Sequence, residues 1–176
     1  MKRDIRADAR ILLRHPYGWI GSGFGTGLSP VAPGTSGSAA AVLLFWLTGA
    51  AHWPWWANAI VVSAMFGIGV IASGWVCKAL NQDDASSIVI DEWVGQWMTL
   101  ATAALCWPSL HGWSFVWMLL SAFALFRWAD ILKPWPARNI DRELGGGLGA
   151  MLDDAIAGVY SSLAVATVAW IATRAA

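Results

Sequence analysis

Long apolar segments dominate the chain, and short polar segments separate them. Residues 15–77, 93–126 and 155–173 contain no Asp, Glu, Lys or Arg. Because a membrane-spanning helix needs about 20 predominantly apolar residues, the first interval could hold two spans and the last is about one span long. A soluble domain rarely contains an uncharged segment as long as residues 15–77. The pattern therefore predicts an all-α, integral-membrane helical bundle.

Breaks inside these intervals divide them into about four to five apolar helices. Tryptophan-flanked, proline-containing turns end the first and third helices, as is typical of a membrane–water interface. Glycines in the second helix would allow a neighbouring helix to approach closely. The third and fourth helices are short for a complete span. The predicted helices cover residues 38–52, 59–77, 93–107, 114–126 and 155–173.

The first 14 residues follow a different pattern. Arg3, Arg6, Arg10 and Arg14 are spaced as one helical stripe, with apolar positions on another stripe. This spacing predicts an amphipathic interfacial helix whose basic face meets anionic headgroups. An ordinary solvated surface helix is the alternative. We interpret residues 1–176 as one domain, in which the helix at 1–14 precedes a helical bundle at 21–173.

The charged residues indicate how the helices are arranged. They are confined to residues 2–14, 78–92 and 127–154, together with Arg174. Two helical hairpins and a final span would return the three segments to the same side of the bundle. Because those segments contain every Lys and Arg except Arg174, the positive-inside rule predicts that this side faces the cytoplasm. Polar residues that are distant in sequence should therefore meet at one membrane surface.

Composition agrees with a membrane protein and excludes some functions. Hydrophobic residues make up 57% of the chain and charged residues 12%, and the 14 tryptophans suit a membrane interface. The formal net charge is zero, so no basic surface for nucleic acid is expected. Cys77 and Cys106 lie in apolar surroundings without a close-spaced motif, and we expect them to be reduced core residues.

The segment DDASSIVIDE, residues 83–92, is unusually acidic for such a chain. On a helix, Asp84, Ser87 and Asp91 would share one face, with Glu92 about 100° further round. Carboxylates this close repel one another unless they share a cation. A hard divalent ion such as Mg²⁺, which prefers oxygen ligands, is the expected partner.

The glycine-rich segment at residues 21–38 predicts irregular structure. It lacks the lysine of a Walker A loop and the preceding strand of a dinucleotide-binding fingerprint. Its backbone N–H groups could bind an oxyanion, especially next to a helix start. A loop that only turns the chain is an equally good interpretation of the composition.

Residues 127–154 supply possible partners for the acidic segment. Arg127, Asp130 and Lys133 are spaced to share a helix face. Carboxylates that bind Mg²⁺, next to cations that bind phosphate oxygens, are typical of phosphoryl chemistry. Charge pairing at a membrane boundary is the alternative, and for Asp141, Arg142 and Glu143 it is the preferred interpretation.

Other phosphatase chemistries lack their residues here. His15 is isolated, and His52 and His111 are predicted to lie on the opposite side of the bundle. No Cys-x5-Arg loop, Asp-x-Asp-x-Thr motif or CDP-alcohol phosphotransferase motif is present. A metal-activated water or direct attack by a carboxylate remains.

Four sequence blocks resemble the signature blocks of the phosphatidylglycerophosphatase A family, in the same order. They are GFGTGLSPVAPGTSGS, DASSIVIDEWVG, FRWADILKPWPARNID and GGLGAMLDDAIAGVYS, within residues 21–162. The resemblance implies a helical, Mg²⁺-dependent phosphatase that converts phosphatidylglycerophosphate to phosphatidylglycerol and phosphate in bacterial phospholipid biosynthesis. It also implies a location in the inner membrane, with the active site facing the cytoplasm. Asp83, Ile90, Ala129 and Glu143 depart from the family pattern, but none is a proposed ligand.

The resemblance, together with the charge pattern, gives a set of expected site residues. The predicted catalytic residues are Asp84, Asp91, Glu92, Asp130 and Asp154, and the metal ligands are these five and Asp153. The residues predicted to bind the substrate phosphate are Arg127, Lys133, Arg138, Thr26, Ser29 and Thr35.

Two alternatives remain open from the sequence. The chain could be a non-enzymatic bundle that binds or conducts cations, in which case its acids should lie at mid-membrane depth. It could also be a soluble bundle with the same active site. The expected partners are the bilayer and its phospholipid, and the sequence does not predict an oligomeric state.

Overall fold

The computed structural model describes residues 5–82, 85–133, 135 and 146–175. Within these residues it contains helices and no strands, which confirms the predicted all-α class. Short 3₁₀ turns at Thr26–Leu28 and Ala50–His52 accompany the α-helices. The α-helices are α1 (Ile5–Leu12), α2 (Pro16–Gly21), α3 (Pro33–Leu47), α4 (Trp55–Leu80), α5 (Ile90–Cys106), α6 (Gly112–Leu132) and α7 (Gly146–Ala175).

Three helices in the described part of the chain are long and apolar enough to cross a membrane. They are α4, α6 and α7. Helices α3 and α5 are apolar but shorter, with 15 and 17 residues. The five apolar helices agree with the predicted number.

Helices α6 and α7 extend further than predicted, because charged residues do not end a helix that can place them on an interior polar face. The expected fourth helix at 114–126 continues to Leu132, and the expected fifth helix at 155–173 already begins at Gly146. Asp130 therefore lies on α6, as its spacing from Arg127 predicts, and Asp153 and Asp154 lie on α7 rather than before it.

Helix α5 is the centre of the bundle and packs against α3, α4, α6 and α7. Trp97 and Leu100 are almost completely buried and pack in one hydrophobic cluster with Phe45 of α3 and Met118 of α6. Close van der Waals packing of these side chains stabilises the contacts of α5 with its neighbours. The most extensive contact is between α5 and α7.

Small residues make the α5–α7 contact possible. A Cβ at Gly95 would lie 2.5 Å from the carbonyl oxygen of Asp154, and a Cβ at Gly158 would lie 2.8 Å from the Cα of Gly95. The Thr99 and Ser161 hydroxyls form a hydrogen bond of 2.6 Å one turn further along. The backbones of α5 and α7 therefore approach closely at the second turn of α5.

The glycines of α4 divide into two groups. A Cβ at Gly69 would meet the Met151 side chain at 2.6 Å, which confirms the expected close packing at that position. A Cβ at Gly67 or at Gly74 would meet nothing within 4 Å, so the expectation is wrong for these two glycines. Helix α7 approaches the backbone of Gly74 because Gly147 of α7 has no side chain.

The two tryptophan-rich turns meet at the end of the bundle remote from the acidic residues. Trp53 and Trp107 pack against the same hydrophobic cluster. The Asn58 side chain donates a hydrogen bond to the Ala50 carbonyl at 3.1 Å and accepts one from Trp97 Nε1 at 2.9 Å. The predicted separation of tryptophan-rich and charged ends is therefore confirmed within the described residues.

The glycine-rich segment is more regular than expected. It contains the 3₁₀ turn at Thr26–Leu28, and α3 begins at Pro33. Proline suits the first position of a helix because its fixed φ is helical and its missing N–H has no helical partner there. The prediction that regular structure is excluded up to residue 38 is therefore wrong.

The acidic segment is less helical than expected. Helix α5 begins only at Ile90, and Ser87 lies in a turn. The Val89 N–H donates to the Gly21 carbonyl at 2.9 Å, which holds the segment against the glycine-rich loop. The prediction that Ser87 and Asp91 share a helix face is wrong for this reason, and Asp84 lies outside the described residues.

Candidate active site

Three carboxylates converge at the charged end of the bundle. Asp91 and Glu92 are in the first turn of α5, and Asp154 is on α7. One oxygen from each of the three side chains lies within 4.8 Å of the others. The close approach at Gly95 brings the backbone of Asp154 against α5 and so positions its side chain beside the other two.

The carboxylate cluster has the donors that a hard divalent cation requires. All its candidate ligands are oxygens, which Mg²⁺ prefers. Glu92 Oε2 is buried and has no hydrogen-bond partner among the described residues. A buried carboxylate oxygen without a partner is costly. The residues therefore fit a bound cation.

Burial also affects the protonation of these acids. Asp91 and Glu92 lie outside the three helices long enough to cross a membrane. Burial raises the pKa of Asp91, although hydrogen bonds from Glu92 oppose the change. Burial raises the pKa of Glu92 well above its ordinary value, and the neighbouring charge of Asp91 raises it further. A bound cation would favour the charged forms of both.

Arg127 links the carboxylate cluster to two other helices. Its Nη1 lies 2.6 Å from Asp130 Oδ2 and 3.9 Å from Glu92 Oε1. The same nitrogen donates a hydrogen bond to Ser38 Oγ of α3 at 3.3 Å. Arg127 Nε is buried and has no partner within the described part of the chain. The guanidinium is thus held firmly and retains a donor.

Lys133 forms the second ion pair of the site, with Asp153 Oδ2. It follows the last residue of α6 and has a φ of 42°. Lys133 therefore does not share a helix face with Arg127 and Asp130 as predicted, because α6 has already ended. It nevertheless lines the same cavity.

These side chains surround a polar cavity of about 360 Å³. The first turn of α3 forms one wall, so backbone N–H groups at a helix N-terminus border the cavity. That end of a helix carries partial positive charge and favours anions. The lining residues are Ala32, Pro33, Gly34, Thr35, Ala85, Ser86, Ile88, Asp91, Glu92, Arg127, Asp130, Ile131, Lys133, Ala150, Asp153 and Asp154.

Gly34 is required where α3 meets the carboxylate cluster. A Cβ at this position would lie 2.1 Å from Glu92 Oε1 and 3.2 Å from Arg127 Nη1. No side chain fits there without displacing Glu92. The absence of a side chain lets the start of α3 lie directly against both charged groups.

The structure brings together most of the expected site residues. The acids Asp91, Glu92, Asp130, Asp153 and Asp154 line one cavity with Arg127, Lys133 and Thr35. Asp130 and Asp153 form ion pairs with Arg127 and Lys133 and are not part of the three-carboxylate cluster. Asp84 and Arg138 lie outside the described residues.

Thr26 and Ser29 are not brought to the cavity. The Thr26 hydroxyl donates to the Gly23 carbonyl at 2.9 Å, and the Ser29 hydroxyl donates to the Val31 carbonyl at 2.8 Å. Both hydroxyls stabilise the glycine-rich loop that leads into α3.

Ser38 is a site residue that the sequence analysis did not assign. Its hydroxyl accepts from Arg127 and donates to the Gly34 carbonyl at 2.9 Å. Gly34 and Ser38 are four residues apart and share one helix face. That relationship was hidden because α3 was expected to begin only at residue 38.

Comparisons with known proteins identify similar chains. A model of the protein family described as phosphatidylglycerophosphatase A matches residues 19–169. The phosphatidylglycerophosphatase A of Escherichia coli strain K12 is 38% identical over 160 residues, covering 91% of this chain and 87% of that protein. The phosphatidylglycerophosphatase A of Haemophilus influenzae is 37% identical over 169 residues, covering 89% and 90%.

A Bacteroides thetaiotaomicron protein with the provisional name phosphatidylinositol-3-phosphatase is also similar. It is 37% identical over 155 residues, which cover 86% of this chain and 92% of that protein. No solved structure matches the chain. The relatives named here are therefore all named as phosphatases of phosphorylated phospholipids.

Proposed function

Because this chain belongs to the phosphatidylglycerophosphatase A family, we propose that it hydrolyses phosphatidylglycerophosphate to phosphatidylglycerol and inorganic phosphate, with Mg²⁺ as its cofactor. Water supplies the oxygen that joins phosphorus, and the phosphorus–oxygen bond to the terminal glycerol breaks. The lipid hydroxyl leaves with a proton.

One observation carries this proposal: three largely buried carboxylates and Arg127 share a cavity with the N-terminus of α3. A phosphate monoester carries about two negative charges near neutral pH, since its second pKa is about 6. It needs cationic groups and N–H donors, whereas a cation needs the carboxylates. The cavity offers both kinds of group side by side.

Asp91, Glu92 and Asp154 would hold Mg²⁺, since their oxygens converge and Glu92 Oε2 has no other partner in the described structure. When bound, the ion would supply Lewis-acid chemistry, which withdraws charge from phosphoryl oxygens and makes water a stronger nucleophile. The burial of these carboxylates excludes bulk water, and the low dielectric constant that results strengthens electrostatic interactions within the cavity.

Arg127 and Lys133 would bind the phosphoryl oxygens and neutralise charge that develops on them. Asp130 and Ser38 hold the Arg127 guanidinium in place, so the side chain loses little conformational freedom when substrate binds. The first-turn N–H groups of α3 and the Thr35 hydroxyl add donors that carry no net charge. Predicted contributors also include Asp84, Asp153 and Arg138, whereas Thr26 and Ser29 would act only by stabilising the loop before α3.

The proposed location is the bacterial inner membrane, with the cavity facing the cytoplasm. Three helices have the length and composition of spans. The cavity lies at the end of the bundle where the charged residues of α5, α6 and α7 occur, and the positive-inside rule favours the cytoplasmic side for that end.

Two observations argue against a cation-conducting bundle. Asp91 and Glu92 lie in the first turn of α5 and Asp130 in the last turn of α6, rather than at the middle of the helices. Arg127 also lies beside them, and its positive charge would repel a permeating cation. A soluble bundle is disfavoured by the three long apolar helices.

The test is release of inorganic phosphate by purified protein in phospholipid vesicles. Phosphatidylglycerophosphate is compared with phosphatidylinositol 3-phosphate and phosphatidic acid, each with Mg²⁺ or with excess chelator. We expect release from phosphatidylglycerophosphate with Mg²⁺ only. Full activity in excess chelator would contradict the metal assignment, and a faster reaction with another lipid would contradict the substrate assignment.

Asp91→Asn should abolish phosphate release and leave the helical content intact, because it removes the charge but not the shape of a proposed ligand. Asp8→Asn is the matched control, since Asp8 is a buried aspartate of α1 that does not line the cavity. Activity of the Asp91 variant equal to that of the control would refute the assignment.

A further inference from the structure

Part of the rim of the polar cavity is apolar. Ile131 lines the cavity and yet is 71% exposed. At the start of α3, Ala32 also lines the cavity, and Val31 beside it is 75% exposed. The other part of the rim is polar, with Ser86 and the half-buried Lys133. This asymmetry matches a molecule with a phosphate at one end and hydrocarbon at the other.

Ile131 lies directly beside the proposed phosphate-binding groups. It is four residues after Arg127, so the two side chains are neighbours on one face of α6. Arg127 and Asp130 are largely buried, with side-chain exposures of 15% and 11%. Within one turn of α6, the largely buried Arg127–Asp130 ion pair is therefore followed by the exposed apolar side chain of Ile131.

The depth of Ile131 along α6 fits the edge of a bilayer. Eighteen residues separate it from Trp113, which corresponds to about 27 Å at 1.5 Å per residue. The hydrocarbon core of a bilayer is about 30 Å thick. Trp113 is 81% exposed at one end of α6, and Trp128 is 66% exposed near the other, as expected for tryptophans at two membrane interfaces.

The exposed apolar surface continues around the end of α6. Leu132 and Trp135 are exposed, and the Trp135 carbonyl accepts a hydrogen bond of 2.8 Å from the Tyr160 hydroxyl of α7. This bond holds Trp135, three residues after the end of α6, close to α7. The apolar side of the mouth is thus continuous with the lipid-facing surface of a candidate membrane span.

We propose that the gap between Ile131 and the start of α3 at Ala32 is a lateral entry through which a bilayer phospholipid places its phosphate in the cavity while its acyl chains stay in the membrane. The Ile131 side chain contacts the glycerol and the first methylenes of the acyl chains. It thereby favours membrane-embedded phosphate esters over water-soluble ones. This inference rests on the proposed lipid phosphatase activity.

The experiment compares two substrates that differ in their acyl chains. One is dioleoyl phosphatidylglycerophosphate at varied mole fraction in phosphatidylcholine vesicles, and the other is its deacylated headgroup in solution. The measured quantity is the ratio of kcat/KM for the lipid to kcat/KM for the deacylated headgroup. In Ile131→Glu we expect this ratio to fall about tenfold, as for loss of one apolar side-chain contact.

Leu132→Glu is the matched control, because Leu132 is the next residue, is 54% exposed and does not line the cavity. Its ratio should stay close to that of the unchanged protein. Ile131→Ser, which introduces no charge, is measured alongside in case Ile131→Glu does not fold, and its ratio should fall in the same direction.

Two results would overturn the lateral entry. One is an equal loss on both substrates in the folded Ile131 variants, and the other is an equal fall of the ratio in Leu132→Glu. Failure of the unchanged protein to release phosphate from either substrate would instead overturn the proposed function, so the two failures are distinguishable.

Discussion

Replacing Gly34 with alanine tests how closely α3 is fitted to the carboxylate cluster. The new Cβ would lie 2.1 Å from Glu92 Oε1, whereas ordinary contact begins at 3.4 Å. The carboxylate oxygen must therefore retreat by about 1.3 Å, the difference between those two distances. Displacement of a catalytic group by about 1 Å can cost about 100-fold in rate. We expect kcat/KM of Gly34→Ala to fall by about that factor.

Stability should change little in the same variant. Alanine favours helix over glycine by about 0.5–1 kcal/mol, which offsets part of the cost of moving one side chain. The assay is phosphate release from phosphatidylglycerophosphate vesicles with Mg²⁺, together with thermal unfolding. Gly67→Ala is the control, because a Cβ at that position of α4 meets nothing within 4 Å. Activity of Gly34→Ala within about threefold of this control would refute the inferred fit, since the expected loss is about 100-fold.

Three further predictions concern the same cavity. Arg127→Lys should lower kcat/KM at least about tenfold, because one guanidinium nitrogen already contacts Asp130 and Ser38 and an ammonium lacks the other planar donors that would bind the phosphoryl oxygens; unchanged kinetics would contradict the role of Arg127. Gly95→Ala should lower the free energy of unfolding by about 1–3 kcal/mol through overpacking against α6 and α7, measured as a lower thermal midpoint than that of the protein with glycine. Because folding raises the pKa of Asp91 and Glu92, the metal-free protein binds more protons when folded, and its stability should fall as the pH rises above the ordinary carboxyl pKa values. Thermal unfolding midpoints across a pH series, with and without Mg²⁺, should show that the ion offsets this fall. A midpoint that rises with pH in the metal-free protein would contradict the reasoning.

The sequence predicted the helical class well because hydrophobic length and charge placement carry that information directly. The uncharged segment 93–126 contains most of α5 and α6, the segment 155–173 lies within α7, and the tryptophan-rich turns lie together away from the acids. Helix boundaries were less accurate. The predicted fifth helix leaves out Asp153 and Asp154, although their partners inside the bundle allow both to lie on α7.

The acidic segment shows why local pattern was insufficient for the site. Spacing alone placed Ser87 and Asp91 on one helix face, but a long-range hydrogen bond from Val89 to Gly21 keeps the chain non-helical up to Ile90. The pattern of polar and apolar residues in 83–92 gives no indication of that hydrogen bond. The choice of Asp91 and Glu92 as site residues did not depend on that helix.

The positions of the charged residues along the chain are sufficient to predict that carboxylates and cations gather at one end of an apolar helical bundle, because unpaired charge is too costly among lipid-facing helices. Which carboxylates form one cluster depends on how the helices pack. Close approach of α5 and α7 at Gly95 and Gly158 places Asp154 beside Asp91 and Glu92, while Asp130 is drawn to Arg127. Distances between side chains on different helices depend on how closely the backbones can approach, and that is a property of the packed bundle.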